Sequence, residues 1–212
     1  MPIKTKICGL KTPETIDAAI KNGASHIGLN FFPPSPRSIS FDEARALSGP
    51  VPGHVRRVGV FVDPANALLE QAIDAGTLDV IQLHKTAPSR VAEIRAYWGR
   101  ETWSAIGIRT ADDLKVAALH VGASDFLLYD TLQPDDAALP GGMGVRFDWT
   151  LLAGFVHPLA WGLAGGLTPD NVSEAIRVTG APLVDTSSGV ESSPGIKDVD
   201  KIAAFLKAAA RL

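Results

Sequence analysis

The chain has 212 residues, of which 46% are hydrophobic and 20% charged, and its 20 glycines and 15 prolines are spread along its length. This composition excludes disorder and fibrous repeats, and the length suits one large domain or two small ones. Lys and Arg number 20 against 23 Asp and Glu, so the formal net charge is −3. Because no basic cluster accompanies this charge, nucleic acid is excluded as a partner.

The single cysteine, Cys8, excludes an intramolecular disulfide, and residues 1–15 lack the apolar core of a signal peptide. We therefore expect a cytoplasmic protein. The uncharged residues 149–169 have the length of a membrane span, but a histidine, a proline and four glycines interrupt them. No membrane association is expected.

Short apolar runs alternate with segments of helical period eight times along the chain. The runs are rich in Val, Ile and Leu, and their near-continuous hydrophobicity is typical of parallel strands buried on both faces. The predicted strands are residues 3–7, 25–31, 55–62, 79–83, 103–108, 125–129, 159–163 and 183–185.

Helices are predicted between these strands. Thr12 and Thr168 each precede a proline, which is the pattern of an N-cap followed by proline at the first helical position. Further helices are predicted over residues 41–47, 64–75, 88–98, 111–120, 148–155 and 198–210.

Eight strand–helix units in this length average about 26 residues each, close to the minimum for a right-handed crossover. We therefore expect an α/β fold, a single (β/α)8-barrel domain over residues 1–212. An open doubly wound sheet is the alternative. In a barrel, chemistry takes place at the carboxyl ends of the strands, so the residues that follow each apolar run are the candidate site.

Two titratable side chains end predicted strands. Cys8 follows the first strand, with Lys6 on the same strand face, and its thiol is a candidate base or nucleophile. The alternative is a buried small hydrophobic residue. Asp130 follows the apolar residues 126–129, which would raise the pKa of a carboxyl acting as general acid. A turn or a helix cap is the alternative role for Asp130.

Glycine-rich loops follow the last three strands, at residues 140–144, 163–167 and 186–191. In a barrel, backbone N–H groups of the loops after strands 7 and 8 form a phosphate site. We therefore expect a phosphorylated small molecule to bind at these two loops.

Arg37 and His84 are candidate ligand contacts on other loops. Three prolines stiffen the loop that carries Arg37, which suits bidentate recognition of a carboxylate, although a solvated surface arginine would fit equally. His84 ends strand 4 as a ligand contact or a hydrogen-bonded structural residue. The other histidines lack metal-ligand spacing and the chain has a single cysteine, so neither a structural zinc nor a redox centre is expected.

Six segments have the sequences of known motifs: residues 6–10 (KICGL), 35–40 (SPRSIS), 58–62 (VGVFV), 82–84 (QLH), 163–169 (LAGGLTP) and 185–191 (DTSSGVE). Through them the chain resembles the phosphoribosylanthranilate isomerases of tryptophan biosynthesis, from the first strand to Lys201. The resemblance implies a cofactor-free Amadori rearrangement of N-(5′-phosphoribosyl)anthranilate to 1-(o-carboxyphenylamino)-1-deoxyribulose 5-phosphate.

By this resemblance Cys8 is the general base and Asp130 the general acid. Arg37 would face the anthranilate carboxylate, and the loops after strands 7 and 8 would hold the phosphate. Lys85 departs from the family's usual glycine, and Met143 from its usual small polar residue. The residues expected to bind substrate are Arg37, His84, Gly142, Gly144, Gly165, Gly166, Ser187, Ser188 and Gly189.

These roles need an ionised thiol and a protonated carboxyl, the reverse of the ordinary states near pH 7. We expect Lys6 and loop N–H groups to lower the pKa of Cys8, and the apolar flank of Asp130 to raise the pKa of that carboxyl. Two alternatives stay open. One is a barrel that binds a phosphosugar without catalysis. The other is a related isomerase of histidine or tryptophan biosynthesis, of which the histidine-pathway enzyme would favour paired aspartates over Cys8.

Overall fold

The computed structural model describes residues 2–132 and 146–211. Eight parallel strands pair in chain order, and the last pairs with the first to close a barrel. This closure confirms the predicted fold class and excludes the open sheet. The strands are β1 (Lys4–Cys8), β2 (His26–Asn30), β3 (Arg56–Val62), β4 (Val80–His84), β5 (Glu101–Ile108), β6 (Phe126–Thr131), β7 (Ala160–Leu163) and β8 (Leu183–Thr186).

Helices connect the strands on the outside of the barrel. In the described part of the chain they are α1 (Pro13–Lys21), α2 (Phe41–Ser48), α3 (Asn66–Gly76), α4 (Pro88–Trp98), α5 (Val172–Thr179) and α6 (Val199–Ala209). None of the helices described is long and apolar enough to cross a membrane.

Two predicted α-helices are instead 3₁₀ helices. In Ala111–His120 the buried residues Leu114, Ala117 and His120 recur every three residues, which is the period of a 3₁₀ helix rather than of an α-helix. The second, Trp149–Leu152, is short, because Gly154 adopts a positive φ of 76° and turns the chain.

Two helix starts were predicted from a threonine before a proline; the first is confirmed, and the second lies too early in the chain. The Thr12 hydroxyl accepts a hydrogen bond from the Thr15 N–H, with proline at the first helical position of α1. At the second site Thr168 is not the cap. The Asn171 side chain accepts from the Thr168 N–H at 2.8 Å, so the segment between them forms a turn and α5 begins at Val172.

The barrel interior is apolar towards the amino ends of the strands and polar towards their carboxyl ends. Buried apolar side chains form a cluster in the barrel interior, namely Val58, Val80, Trp103, Leu128, Ala164 and Leu183, and Ala164 of this cluster reaches the cavity at the carboxyl ends. After β8, a small antiparallel hairpin that was not predicted, β9 (Glu191–Ser193) with β10 (Ile196–Lys197), lies beside the carboxyl ends. The eight barrel strands run parallel, so Cys8, His84 and Asp130, near the ends of their strands, reach the same rim.

Candidate active site

One cavity at the carboxyl ends of the strands contains every predicted site residue in the described part of the chain. Gly142 and Gly144 lie outside the described residues, as does Met143. The predicted residues that line the cavity are Cys8, Arg37, His84, Asp130, Gly165, Gly166, Ser187, Ser188 and Gly189.

The Cys8 thiol lies at the end of β1, beside a buried ion pair. Lys6 is 0% exposed, and its Nζ donates to Asp185 Oδ2 at 2.9 Å. A Cβ atom on Gly28 of the neighbouring strand would lie 3.0 Å from Cys8 Sγ and 3.2 Å from Lys6 Nζ. Gly28 therefore makes room for both groups, a role whose only sequence signal is a glycine inside a predicted strand.

Burial raises the pKa of the Cys8 thiol above its ordinary value. The Lys6 ammonium opposes this effect, and the Asp185 carboxylate adds to it. The expectation that Lys6 would lower the thiol pKa below its ordinary value is therefore wrong. The Lys6 ammonium is paired with the Asp185 carboxylate, and burial keeps out the water that would stabilise a thiolate.

The pKa of Asp130 is raised as well, and here the expected direction is confirmed. Burial, with a contribution from the Asp185 carboxylate, raises the pKa of Asp130 to about 7, although the Thr131 N–H donates to its Oδ1 at 2.8 Å. Gly165 leaves space here, because a Cβ on it would lie 3.0 Å from that oxygen. A carboxyl that titrates near neutrality can donate a proton to a ligand and take one back.

Arg37 is buried in the cavity wall, so the alternative of a solvated surface arginine is wrong. Its Nε donates to Glu191 Oε1 at 2.7 Å and its Nη2 to Glu191 Oε2 at 2.8 Å. The bidentate carboxylate contact predicted for this arginine is thus made within the chain.

Lys197, which the sequence did not single out, completes this cluster. Its Nζ donates to Glu191 Oε1 at 2.6 Å and to the Ser187 carbonyl oxygen at 2.9 Å. Together Arg37, Lys197 and Glu191 carry two positive charges and one negative charge. This cluster beside the cavity therefore has a net positive charge that suits an anionic ligand.

The loops after β7 and β8 pack directly against each other. Thr186 Oγ1 donates to the Leu167 carbonyl oxygen at 2.7 Å, and a Cβ atom on Gly189 would overlap that same oxygen. Gly165 and Gly166 have φ values of +85° and +64°, in the region that favours glycine. Glycine is thus required for the path of both loops.

Strand β4 contributes two polar side chains to the cavity, of which only His84 was predicted. Gln82 Nε2 and His84 Nε2 lie 2.9 Å apart. Burial lowers the pKa of His84 to about 4, and the positive charges of Lys6 and Lys85 act in the same direction, so the imidazole is neutral at pH 7.

Two buried acceptor atoms in the cavity wall have no hydrogen-bond partner among the described residues. They are Gln82 Oε1 and Asp185 Oδ1, and both residues line the cavity. Buried polar atoms are rarely left unpaired, so these two atoms, which also line the cavity, are candidate contacts for a ligand.

Lys85, directly after His84, has a φ of +51°. This left-handed conformation favours glycine. It gives a physical reason for the glycine that the related family usually has there.

Three comparisons with known proteins agree. A sequence model of the family described as N-(5′-phosphoribosyl)anthranilate (PRA) isomerase matches residues 5–208. The N-(5′-phosphoribosyl)anthranilate isomerase of Zymomonas mobilis subsp. pomaceae is 51% identical over 210 residues, which cover 98% of each chain. The crystal structure of phosphoribosyl anthranilate isomerase from Thermotoga maritima is similar with a TM-score of 0.85 and 32% identity, over 99% of this chain and 100% of that chain.

A further similar structure contains a ligand. It is a phosphoribosyl anthranilate isomerase in complex with reduced 1-(o-carboxyphenylamino)-1-deoxyribulose 5-phosphate, with a TM-score of 0.81 and 32% identity over 99% of this chain and 100% of that chain. Within residues 2–132 and 146–211, no group of three or more His, Cys, Asp or Glu side chains is arranged to hold a metal ion.

Proposed function

The chain belongs to the N-(5′-phosphoribosyl)anthranilate isomerase family, and from this premise we propose how its site performs the reaction. It is an isomerase of tryptophan biosynthesis. Its substrate is N-(5′-phosphoribosyl)anthranilate, and its product, formed by an Amadori rearrangement, is 1-(o-carboxyphenylamino)-1-deoxyribulose 5-phosphate. Asp130 is the general acid and Cys8 the general base.

Asp130 acts first, by giving its proton to the furanose ring oxygen. The ring C–O bond breaks, and the arylamine nitrogen forms a Schiff base with C1′. The observation that carries this assignment is the carboxyl with a pKa of about 7 in the cavity, since such a group holds a proton at neutral pH and still releases it readily.

Cys8 then removes the proton from C2′ as a thiolate. The electron pair of that C–H bond forms the enolamine, and the positive charge on the Schiff-base nitrogen is neutralised. The enolamine tautomerises to the ketone. Because the Cys8 pKa is raised, the enzyme with thiolate and protonated Asp130 is a minor species at neutral pH.

Substrate anions are held at two places in the cavity. The loops at Gly165, Gly166 and Ser187–Gly189 take the phosphate, and the net positive charge of the cluster of Arg37, Lys197 and Glu191 attracts the anthranilate carboxylate. His84, neutral in the cavity wall, completes the contacts assigned to the described residues.

Complementation of a tryptophan auxotroph that lacks this isomerase tests the function, together with turnover by the purified protein. We expect growth with the wild type, and none with Cys8→Ala or Asp130→Asn although both fold. Growth with Cys8→Ala would end the general-base assignment. A wild-type protein that binds phosphate but neither complements nor turns over substrate would instead be a non-catalytic phosphosugar-binding barrel.

A further inference from the structure

We propose that Gln82 contacts the substrate, and that its Oε1 accepts a hydrogen bond from an N–H or O–H group in the arylamine–sugar half of the molecule. The inference rests on the proposed function, which supplies the substrate. It adds a residue that the motif contained but to which the sequence assigned no role.

Gln82 occupies a buried position near the carboxyl end of β4. It lies two residues before the end of β4, where Val60 and Trp103 are its neighbours on the adjacent strands. Its side chain is 2% exposed, yet the residue lines the cavity. A polar side chain at this position is shielded from bulk water but can still contact a ligand in the cavity.

The hydrogen bonds of the Gln82 side chain leave one of its polar atoms without a partner among the described residues. The amide of Gln82 has one acceptor and two N–H donors. Its Nε2 lies 2.9 Å from His84 Nε2, and because that imidazole is neutral, its Nε2 can accept from the amide and carry its own proton on Nδ1. With the imidazole proton on Nδ1, the Gln82 amide donates to His84, and Oε1 is the atom without a partner among the described residues.

Other unpartnered buried atoms show that burial alone does not mark the site. Ser48, Ser104, His120 and Trp149 also have such an atom, but none of these residues lines the cavity. Gln82 and Asp185 do, and Asp185 already accepts a hydrogen bond from Lys6 through its other oxygen. Of the two unpartnered buried acceptors that line the cavity in the described part of the chain, Gln82 Oε1 is therefore the uncharged one, suited to a neutral donor such as a secondary amine or a hydroxyl.

The substrate offers donors of this kind only in one half. Phosphate and carboxylate groups bring acceptors, whereas the arylamine N–H and the ribose hydroxyls bring donors. A ligand without that half should not distinguish Gln82 from an apolar residue.

Calorimetric titration of Gln82→Met tests the inference, because methionine has similar length and lacks the amide oxygen. The ligands are reduced 1-(o-carboxyphenylamino)-1-deoxyribulose 5-phosphate, ribulose 5-phosphate and inorganic phosphate. We expect the Kd of the reduced compound to rise about 10-fold or more, as for a lost contact to a buried polar partner, while the Kd of phosphate stays unchanged. If the Kd of ribulose 5-phosphate rises as well, the donor is a sugar hydroxyl common to both ligands. If only the Kd of the reduced compound rises, the donor is the arylamine N–H or the C2′ hydroxyl that reduction creates.

Ser104→Ala is the matched control, because it removes an unpartnered buried hydroxyl on the adjacent strand outside the cavity. It should leave all three Kd values unchanged. An unchanged Kd of the reduced compound in folded Gln82→Met would overturn the inference, yet turnover by the wild type would still support the isomerase. Wild-type protein that neither turns over substrate nor binds the reduced compound would instead refute the proposed function.

If Gln82→Met fails to fold, wild-type protein provides the second measurement. The side-chain amide nitrogen of Gln82 is followed by NMR as each ligand is added. We expect its resonance to shift with the reduced compound and not with phosphate, since hydrogen bonding at Oε1 polarises the amide. No shift at saturation would overturn the inference.

Discussion

Arg37 and Glu191 form a bidentate ion pair across 154 residues of sequence, with N–O distances of 2.7 and 2.8 Å. The pair joins the loop after β2 to the hairpin after β8. Lys197 binds the same carboxylate, and all three side chains are almost wholly buried. Glu191 therefore holds in place the arginine that we assign to the anthranilate carboxylate.

Removing the carboxylate should destabilise the protein. Glu191→Ala leaves Arg37 and Lys197 buried without their counter-charge, so we expect the free energy of unfolding in urea to fall by about 3–5 kcal/mol. Asp17→Ala is the control, because it breaks only the exposed pair with Lys21, and its effect should stay within about 0.5 kcal/mol. Equal effects of the two substitutions would contradict a structural role for the Glu191 carboxylate.

The same carboxylate makes stability depend on pH in the acid range. Burial acts to raise the pKa of Glu191, but hydrogen bonds and charge from Arg37 and Lys197 prevail and lower it. A carboxylate with a depressed pKa in the folded state stabilises the protein above its unfolded pKa, and that stability is lost as pH falls through the folded pKa. Wild type should therefore approach Glu191→Gln in stability as pH falls below about 4.

Asp130 and Cys8 together should give a bell-shaped dependence of kcat/KM on pH. Activity should rise through about pH 7, where the Asp130 carboxyl titrates, and fall only above the ordinary pKa of a thiol, because the Cys8 pKa is raised. The reactive form of the enzyme carries one proton on the two groups together, so neither limb of the pH profile is assigned to one residue alone. A plateau extending well below pH 6 would contradict this assignment.

Asp130 should also affect stability, with the opposite sign to Glu191. Its pKa is higher in the folded protein than in the unfolded chain, so its contribution is fully present below about pH 4 and is lost as pH rises through about 7. Asp130→Asn removes this loss. Relative to wild type, the variant should gain a few kcal/mol between pH 4 and pH 8 in urea unfolding.

The comparison of Cys8 with Asp130 shows how far the sequence could predict this site. Its local signals were sufficient for the barrel and for the rim positions, because strand ends and glycine-rich loops are contiguous in sequence. The Asp130 pKa followed from an apolar run on its own strand. The thiol pKa did not, because it is raised mainly by burial, which develops only when the barrel closes around Cys8, and in part by Asp185, which lies 179 residues from Lys6 in sequence. Lys197 and Gln82 were missed for the same reason, since their partners become visible only when the barrel closes.

Gly189 should be intolerant of any side chain. In Gly189→Ala the new Cβ overlaps the Leu167 carbonyl oxygen, so the loops after β7 and β8 must separate. We expect inhibition by inorganic phosphate to weaken about 10-fold or more, as when a buried polar contact is lost. Gly53→Ala is the matched control, because nothing lies within 4 Å of its Cβ position. Undiminished phosphate inhibition in Gly189→Ala would place the phosphate elsewhere.

Cys8 reports directly on the electrostatics of the site, because it is the only cysteine of the chain. We expect its rate of alkylation by iodoacetamide to rise with pH around a midpoint above that of the urea-unfolded protein, since burial raises the thiol pKa. Lys6→Met should move the midpoint higher still, because the ammonium that favours the thiolate is gone and the Asp185 carboxylate is left unpaired.

The double variant Lys6→Met/Asp185→Asn removes both charges, so its midpoint should lie between those of the single variant and the wild type. It also separates electrostatics from misfolding, because it leaves no buried charge without a partner from this ion pair. A wild-type midpoint below that of the unfolded protein would show that Lys6 outweighs burial, and the order of the three folded proteins would still reveal whether the ion pair acts on the thiol.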